Sequence, residues 1–446
     1  MRLALLLAVL GSTDARAGGY YYSDSGIVAL GRGGAWVAGA NTQFAQYYNP
    51  AGLLKVPAPT VNVGYSGVQQ HVRFERQDAD GTTYPAAENQ AKPYSVPEFG
   101  FASPVGDRFA VAFGFTSPFA PSALYDPDGA QRYTVIDTTI YQFQVGPSVA
   151  WRPVPWLGVG ASLQWQYLGV FESLKLTTSL VETGDSPESD VNVAIGAQDL
   201  FTPSYNLGVL IEPTPVVSIG VSVQPPIGFD GRGDAEIDFT GNGLTVLLDE
   251  SVYQDDDIGL ALQIPLVLKA GVAVRPVPRV EVEAAWVYQD WSTFDDLVIS
   301  DVDITLASSL ELPAVPDAFV LPSNLDDTMS WRLGGEWRAH QALAVRAGGF
   351  WEDGALNDTY NSVALYDASK WQLGGGATGF FLAGRLRLDG SAAYLRYAST
   401  TAQSSGVTQV NALGGPAAVV GNGRYTSDGW IAGAAASWSF GKEIAW

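Results

Sequence analysis

The chain has 446 residues, 47% of them hydrophobic, yet it contains no uninterrupted apolar run of the roughly 20 residues that a membrane-spanning helix needs. Its formal net charge of −22 argues against a nucleic-acid partner, because phosphates would repel the chain. The absence of cysteine excludes disulfides and thiol chemistry.

The first residues predict an export signal. A basic Arg2 precedes an apolar run that ends at Leu10, and Ala15-Arg16-Ala17 places small residues at both positions of a cleavage site. We therefore expect residues 1–17 to be a signal peptide and the mature chain to begin at Gly18.

From about residue 58 onward, polar and apolar residues alternate. A period of two places alternate residues on opposite faces of a strand. One face of the segment 279–291 carries Val280, Val282, Ala284, Trp286 and Tyr288, and the other carries Arg279, Glu281, Glu283 and Gln289. Many apolar rows end in an aromatic residue, which is typical of the interfacial girdles of a membrane barrel rather than of a soluble sandwich.

Short and long connections also alternate along the chain. Tight turns are predicted near residues 106, 153, 214, 277, 339 and 384. Longer polar connections are predicted around residues 77–94, 119–133, 183–190, 225–257, 292–327, 353–368 and 399–423. Together they join fourteen strands, so the sequence predicts an all-β, fourteen-stranded antiparallel transmembrane β-barrel over residues 57–446.

The last strand and the acidic runs suggest contacts outside the chain. The aromatic strand Trp430–Phe440 suits recognition by a barrel-assembly machinery. Acidic runs such as Asp255–Asp257 are interpreted as solvated loop tips. The alternative is that they bridge through divalent cations to lipopolysaccharide. No run has the spacing of a calcium-binding loop, so we predict no metal site.

Residues 18–56 do not alternate and are rich in glycine and other small residues. A barrel with such an additional segment on its periplasmic side most economically packs it inside the lumen. We therefore predict an N-terminal hatch, or plug, over residues 18–56.

An ordered series of motifs resembles the FadL-type outer-membrane transporters of long-chain fatty acids and aromatic hydrocarbons. The matching residues are Gly31-Arg32, Asn49-Pro50-Ala51-Gly52-Leu53, Thr116-Ser117-Pro118-Phe119, Tyr125, Arg132-Tyr133, Pro147–Pro153 and Asp290–Asp295. The resemblance implies an internal hatch, an apolar lumen pocket and a side exit at a kink in the third strand. It also implies the outer membrane of a Gram-negative bacterium as the location, with outer-membrane lipid around the barrel.

The predicted lateral gate comprises Ser117, Pro118, Phe119 and Ala120. Proline cannot donate to a strand ladder, so Pro118 would open a gap in the wall. The alternative is that Pro118 only ends the third strand. The family also places an aromatic side chain in its ligand pocket, and Tyr20 holds the equivalent position, although it could simply fill the lumen.

Several inward-facing charges could meet a ligand carboxylate. These are Lys269, Arg332, Arg346, Arg385 and Arg387. Because Glu281, Glu283, Glu336 and Asp389 face the same space, a cross-barrel ion network is the favoured interpretation.

The sequence therefore predicts passive transport of long-chain fatty acids or other hydrophobic small molecules, without a cofactor. The alternative is a general diffusion porin for small polar solutes, which would need an unplugged lumen. Enzymatic activity is not expected, because the only histidines, His71 and His340, are accompanied by no nucleophile motif.

Overall fold

The computed structural model describes residues 25–119, 122–179, 186–293, 296–308, 315–322, 324–356, 359–364 and 366–441. The predicted signal peptide, Tyr20 and Ala120 lie outside these ranges.

Fourteen antiparallel strands form a closed barrel, as the sequence predicts. In chain order they are Thr60–Arg76, Tyr94–Val105, Phe109–Phe119, Asp137–Val154, Leu157–Thr177, Asp190–Thr214, Val217–Gln224 continued by Ile227–Asp238, Val252–Ile264 continued by Val267–Val277, Val280–Gln289, Thr328–His340, Leu343–Glu352, Lys370–Phe381, Leu386–Tyr397 and Gly423–Ser439. The first strand pairs with the fourteenth along its whole length, from the pair Thr60 and Ser439 to the pair Arg76 and Gly423. This pairing closes the wall into a barrel.

The outer surface of the wall is apolar. On the ninth strand Glu283 and Ala285 are buried, whereas Val282 is exposed, as the period of two predicts. Trp331, with 60% of its surface exposed, belongs to the outward aromatic set. The other outward aromatics include Phe109, Trp151, Trp165, Trp337, Trp351, Trp371, Trp430 and Trp438. So many large exposed apolar side chains are stable only against lipid.

Several strands extend well beyond the length that a bilayer requires. The sixth strand has 25 residues, whereas about 9–11 residues suffice to cross. The predicted loop 225–257 is therefore wrong in part, because Ile227–Asp238 and Val252–Ile264 are paired strands. The acidic run Asp255–Asp257 lies in one of them rather than at a loop tip. In Ile227–Asp238 the alternation persists, with apolar residues buried and acidic residues outward, but the glycines and acidic residues are also typical of loops.

The described part of the hatch, residues 25–56, lies inside the barrel. It contains two helices, Ile27–Leu30 and Ala45–Tyr48, and a 3-10 helix, Pro50–Lys55. Among the described residues, no helix is long and apolar enough to cross a membrane. The remaining short elements are Ala87–Glu88, Ser122–Leu124, Pro187–Ser189, Gly243–Val246, Trp291–Thr293, Asp296–Ser300, Phe319–Pro322 and Thr400–Ala402.

Candidate functional site

One side of the hatch rests on glycines of the barrel wall through the Asn49-Pro50-Ala51 motif. The Asn49 side chain accepts a hydrogen bond from the Ala51 N–H at 3.1 Å and donates to the Val209 carbonyl at 2.9 Å. A Cβ on Gly208 would lie 2.1 Å from Asn49 Oδ1, so only glycine permits this approach. The motif therefore both begins the 3-10 helix and attaches it to the sixth strand.

The other side of the hatch, at Gly31-Arg32, approaches a second group of wall glycines. The Arg32 carbonyl oxygen would lie 2.1 Å from a Cβ on Gly334 and 2.2 Å from one on Gly348. The Ser391 hydroxyl donates to the Ile27 carbonyl at 2.7 Å. Wall glycines thus admit the hatch backbone at two distant parts of the circumference.

Glu283 is the strongest single anchor between the wall and the hatch. Its fully buried carboxylate accepts hydrogen bonds from the backbone N–H groups of Val37, Ala38 and Gly39 at 2.6, 2.7 and 2.8 Å. The Arg32 guanidinium lies 3.7 Å away. Three backbone donors and a neighbouring cation compensate the burial of this charge. The alternation of the ninth strand predicted an inward Glu283, but no local signal identified its hatch partners.

Most of the other inward charges form a network within the lumen. Arg32 pairs with Glu281 at 2.9 Å, Arg346 with Glu336 at 2.7 Å, and Arg387 with Asp389 at 2.8 Å. Lys269 donates to the Tyr47 carbonyl at 2.9 Å and lies 3.8 Å from the centre of the Tyr47 ring. Arg332 pairs with Glu352 at 3.4 Å. The predicted ion network is therefore confirmed for Arg332, Arg346 and Arg387. Lys269 contacts the hatch instead of a carboxylate. Arg385 was wrongly predicted to face inward, because it is exposed in the tight turn before the thirteenth strand.

On the extracellular side of the hatch the lumen is lined by apolar side chains. They form one buried cluster with the hatch aromatics Trp36, Phe44, Tyr47 and Tyr48. The wall and loop members include Leu174, Leu176, Val193, Ile237, Phe239, Ile258, Leu260, Ile299, Val302 and Ile304. We call the part between the fifth, sixth and seventh strands and the loop segments around Ile299 and Val410 the lumen pocket. Its free volume is about 40 Å³, so larger molecules enter only when side chains move apart.

The third strand is irregular at the predicted gate. Gln144 of the fourth strand pairs with Thr116, and Gln142 pairs with Phe119. The third strand therefore has one additional residue between these two pairs. Such a bulge breaks the alternation. Consistent with this, Thr116, Ser117 and Pro118 are all buried, and the Ser117 hydroxyl donates to the Gln142 carbonyl at 2.8 Å. The third strand extends to Phe119, so Pro118 lies within it.

The pairing between the second and third strands stops short of this bulge. It runs from the pair Val105 and Phe109 to the pair Phe99 and Phe115. Beyond that point, among the described residues, the second strand pairs only with the first strand and the third only with the fourth. Glu98 lies at the end of the shared ladder, is buried, and accepts a hydrogen bond from the Ile27 N–H of the hatch. The hatch therefore contacts the wall beside the place where two strands separate.

The Arg132-Tyr133 motif anchors the second long loop to the sixth strand. Arg132 Nε lies 2.7 Å from Asp190 Oδ2, and the Tyr133 hydroxyl donates to Asp190 Oδ1 at 2.6 Å. In the same loop, burial raises the pKa of Tyr125, and its hydroxyl donates to the Val363 carbonyl at 3.4 Å. These residues hold extracellular segments in place rather than line the lumen pocket.

The two histidines lie far apart in the barrel topology. His71 is on the first strand, 3.1 Å from Asp428, and His340 ends the tenth strand. In the described ranges, no group of three or more His, Cys, Asp or Glu side chains is arranged to hold a metal ion.

Comparisons with known proteins agree with this architecture. Residues 8–440 match the sequence model of a family described as outer membrane protein transport protein (OMPP1/FadL/TodX). The Neisseria meningitidis serogroup B protein NMB0088, named as an outer membrane protein, is 26% identical over 136 residues, and the match spans 29% of this chain and 29% of that protein.

Solved structures show the same fold. The crystal structure of a Pseudomonas aeruginosa FadL homologue superimposes with a TM-score of 0.79 at 17% identity, covering 95% of this chain and 100% of that one. The toluene transporter TbuX of Ralstonia pickettii gives 0.65 at 18% identity, covering 94% and 99%. The P. putida toluene transporter TodX gives 0.64 at 15% identity, covering 96% and 99%. The chain is an outer-membrane β-barrel that belongs to the OMPP1/FadL/TodX family of outer-membrane transport proteins.

Proposed function

We propose that this protein carries out passive transport of hydrophobic small molecules, long-chain fatty acids or similar compounds, across the outer membrane. The observation that carries the proposal is the apolar lining of the lumen above the hatch. A barrel that conducts polar solutes has a polar, water-filled interior, whereas the lumen above the hatch is lined here by aliphatic and aromatic side chains. The family's solved members that are named toluene transporters support the same substrate class.

Binding in the lumen pocket would be driven by burial of the ligand's hydrocarbon. Each buried CH₂ contributes about 0.8 kcal/mol. The pocket side chains are mostly branched aliphatics and can move apart for a chain or a ring, at the expense of some of their own packing. A longer molecule would extend from the pocket toward the hatch aromatics Tyr47 and Tyr48, which belong to the same buried cluster.

The exit that we propose is lateral, at the place where the second and third strands separate. An apolar molecule that leaves through the wall reaches lipid without entering water. The missing pairing beyond the pair Phe99 and Phe115 and the bulge at Ser117-Pro118 interrupt the hydrogen-bonded ladder at this place. The bond from the Ile27 N–H to Glu98 links the start of the hatch to that edge, so a movement of the hatch would alter it directly. Tyr20, seven positions before Ile27 in the chain, remains our proposed pocket residue.

The substrate class is tested by uptake into Gram-negative cells that express the protein. We expect accumulation of labelled long-chain fatty acid or toluene and no swelling of reconstituted liposomes in small sugars. Ala235 lines the pocket, so Ala235→Phe should reduce uptake severalfold by filling it. Ala434→Phe on the lipid-facing surface is the matched control and should not. Rapid sugar swelling without hydrophobe uptake would instead support the general porin.

Hatch movement is tested with a disulfide, which the cysteine-free chain makes unambiguous. A Cβ at position 31 would lie 2.7 Å from the Ser391 hydroxyl, so Gly31→Cys with Ser391→Cys brings two sulfurs within bonding reach. Oxidation should stop uptake and reduction should restore it, whereas each single-cysteine variant should be insensitive. Undiminished uptake by the oxidised protein would show that this part of the hatch stays in place during transport.

A further inference from the structure

One carboxylate stands apart in the apolar lining of the lumen pocket. Glu172 lies on the fifth strand, opposite Thr138 on the fourth strand and Ile195 on the sixth. Glu172 is half-buried, lies two positions from the buried Val170 and Leu174 on the same face of the strand, and lines the lumen pocket. The other eleven lining side chains are aliphatic or aromatic: Leu174, Leu176, Val193, Ile195, Ala235, Ile237, Ile299, Val302, Ile304, Phe319 and Val410.

Glu172 differs from the other inward carboxylates in lacking a partner within the described residues. Glu283 holds three hatch N–H groups, Glu352 pairs with Lys370 at 2.9 Å, and Asp190 pairs with Arg132. No Lys, Arg or His is contributed by the internal segments outside the described ranges, since residues 120–121, 180–185, 294–295, 309–314, 323, 357–358 and 365 contain none. A cation from those segments is therefore excluded by composition.

A carboxyl group in apolar surroundings is unfavourable unless it is paired or hydrogen-bonded. The described wall residues offer Glu172 no such compensation, so a ligand that fills the pocket and displaces water from the carboxylate would have to supply a donor. A hydrocarbon chain would replace aliphatic contacts, and a donor at its end would satisfy the carboxylate. A ligand carboxylate would instead bring a second negative charge into the same space.

We propose that the lumen pocket recognises hydrophobic molecules that carry one hydrogen-bond-donating head group, an amine most strongly and a hydroxyl next, and that it discriminates against carboxylates. The proposal rests on the proposed function, because it assumes that hydrophobic ligands enter this pocket, and it narrows the substrate class: an ionised fatty acid would bind less tightly than an amine or alcohol of the same chain length. Glu172 is the residue that determines the head group, and the surrounding side chains accept the chain.

The test compares ligands of one chain length in purified, detergent-solubilised protein, with protein-free micelles subtracted. Octylamine, octanol, octanoate and toluene are titrated by calorimetry. For the wild type we expect octylamine to bind about tenfold or more tightly than octanoate, since a charge-assisted hydrogen bond is gained in one case and a repulsion in the other. Toluene serves as the ligand without a head group.

Three variants separate the contributions. Glu172→Leu should abolish the preference for octylamine and strengthen octanoate binding, and Glu172→Gln should weaken octylamine more than octanol. Glu188→Gln, at an exposed glutamate outside the pocket lining, should leave the ranking unchanged. If Glu172→Leu keeps the wild-type ranking, the inference is wrong while toluene binding leaves the proposed function standing. If no compound binds, including toluene, both fail.

Discussion

Replacement of Glu283 by glutamine should loosen the hatch without unfolding the barrel. In the wild type, Oε1 accepts from Val37 and Ala38, and Oε2 accepts from Gly39. A glutamine can keep the first two bonds through its carbonyl oxygen, but its NH₂ group then faces the Gly39 N–H, donor against donor. The attraction to the nearby Arg32 is lost as well.

The magnitude follows from these contacts. A hydrogen bond to a charged group contributes about 1.5–3 kcal/mol net, and removal of one partner from a buried ion pair costs about 3–5 kcal/mol. Because two of the three bonds survive, we expect the free energy of hatch docking to become about 3 kcal/mol less favourable. That corresponds to a roughly hundredfold increase in the undocked population.

Hydrogen exchange of the amides of residues 37–39, followed by mass spectrometry in detergent, measures this population. We expect Glu283→Gln to accelerate their exchange about a hundredfold and to raise single-channel conductance in planar bilayers. Glu352→Gln is the matched control, because Glu352 is equally buried but pairs with wall residues Arg332 and Lys370. Unchanged exchange in Glu283→Gln, or equal acceleration in Glu352→Gln, would refute the anchoring role.

Three further predictions concern the wall. Gly208→Ala places a methyl 2.1 Å from the hatch amide oxygen and should raise conductance, whereas Gly228→Ala, with open space around it, should not. Trp331→Arg on the lipid-facing surface should destabilise insertion into vesicles by up to about 4 kcal/mol, depending on its depth in the bilayer, and Trp331→Phe by much less; equal effects would argue against a lipid contact. Arg132→Leu leaves Asp190 without its buried cation and should make the second long loop more susceptible to proteolysis, with no change in barrel heat stability on gels.

The strands of the wall could be predicted because local sequence patterns specify a membrane barrel. Each spanning segment must satisfy its backbone within the ladder and expose apolar residues to lipid, so period-two alternation persists over strands such as Val280–Gln289. Alternating tight and long connections then give the strand number and the closure. The alternation is absent before residue 57, where the described chain forms short helices instead of strands.

Other features depend on residues that are distant in sequence. The paired extension Ile227–Asp238 was predicted as a loop because its glycines and acidic residues are typical of loops, although its apolar residues alternate and are buried. The places where the hatch contacts the wall depend on wall glycines such as Gly208 and Gly334. The sequence does not distinguish these from other strand glycines, because the hatch atoms that approach them come from a distant part of the chain.

The same distinction applies to charge. The sequence determined that Glu283 and Glu172 occur in alternating segments, since side-chain direction follows from period two alone. Only the tertiary structure decided that one meets three hatch amides across 244 or more residues of chain, while the other faces aliphatic side chains from four distant segments. The energy of a buried carboxylate depends on its neighbours in space, and those are set by barrel closure and hatch docking.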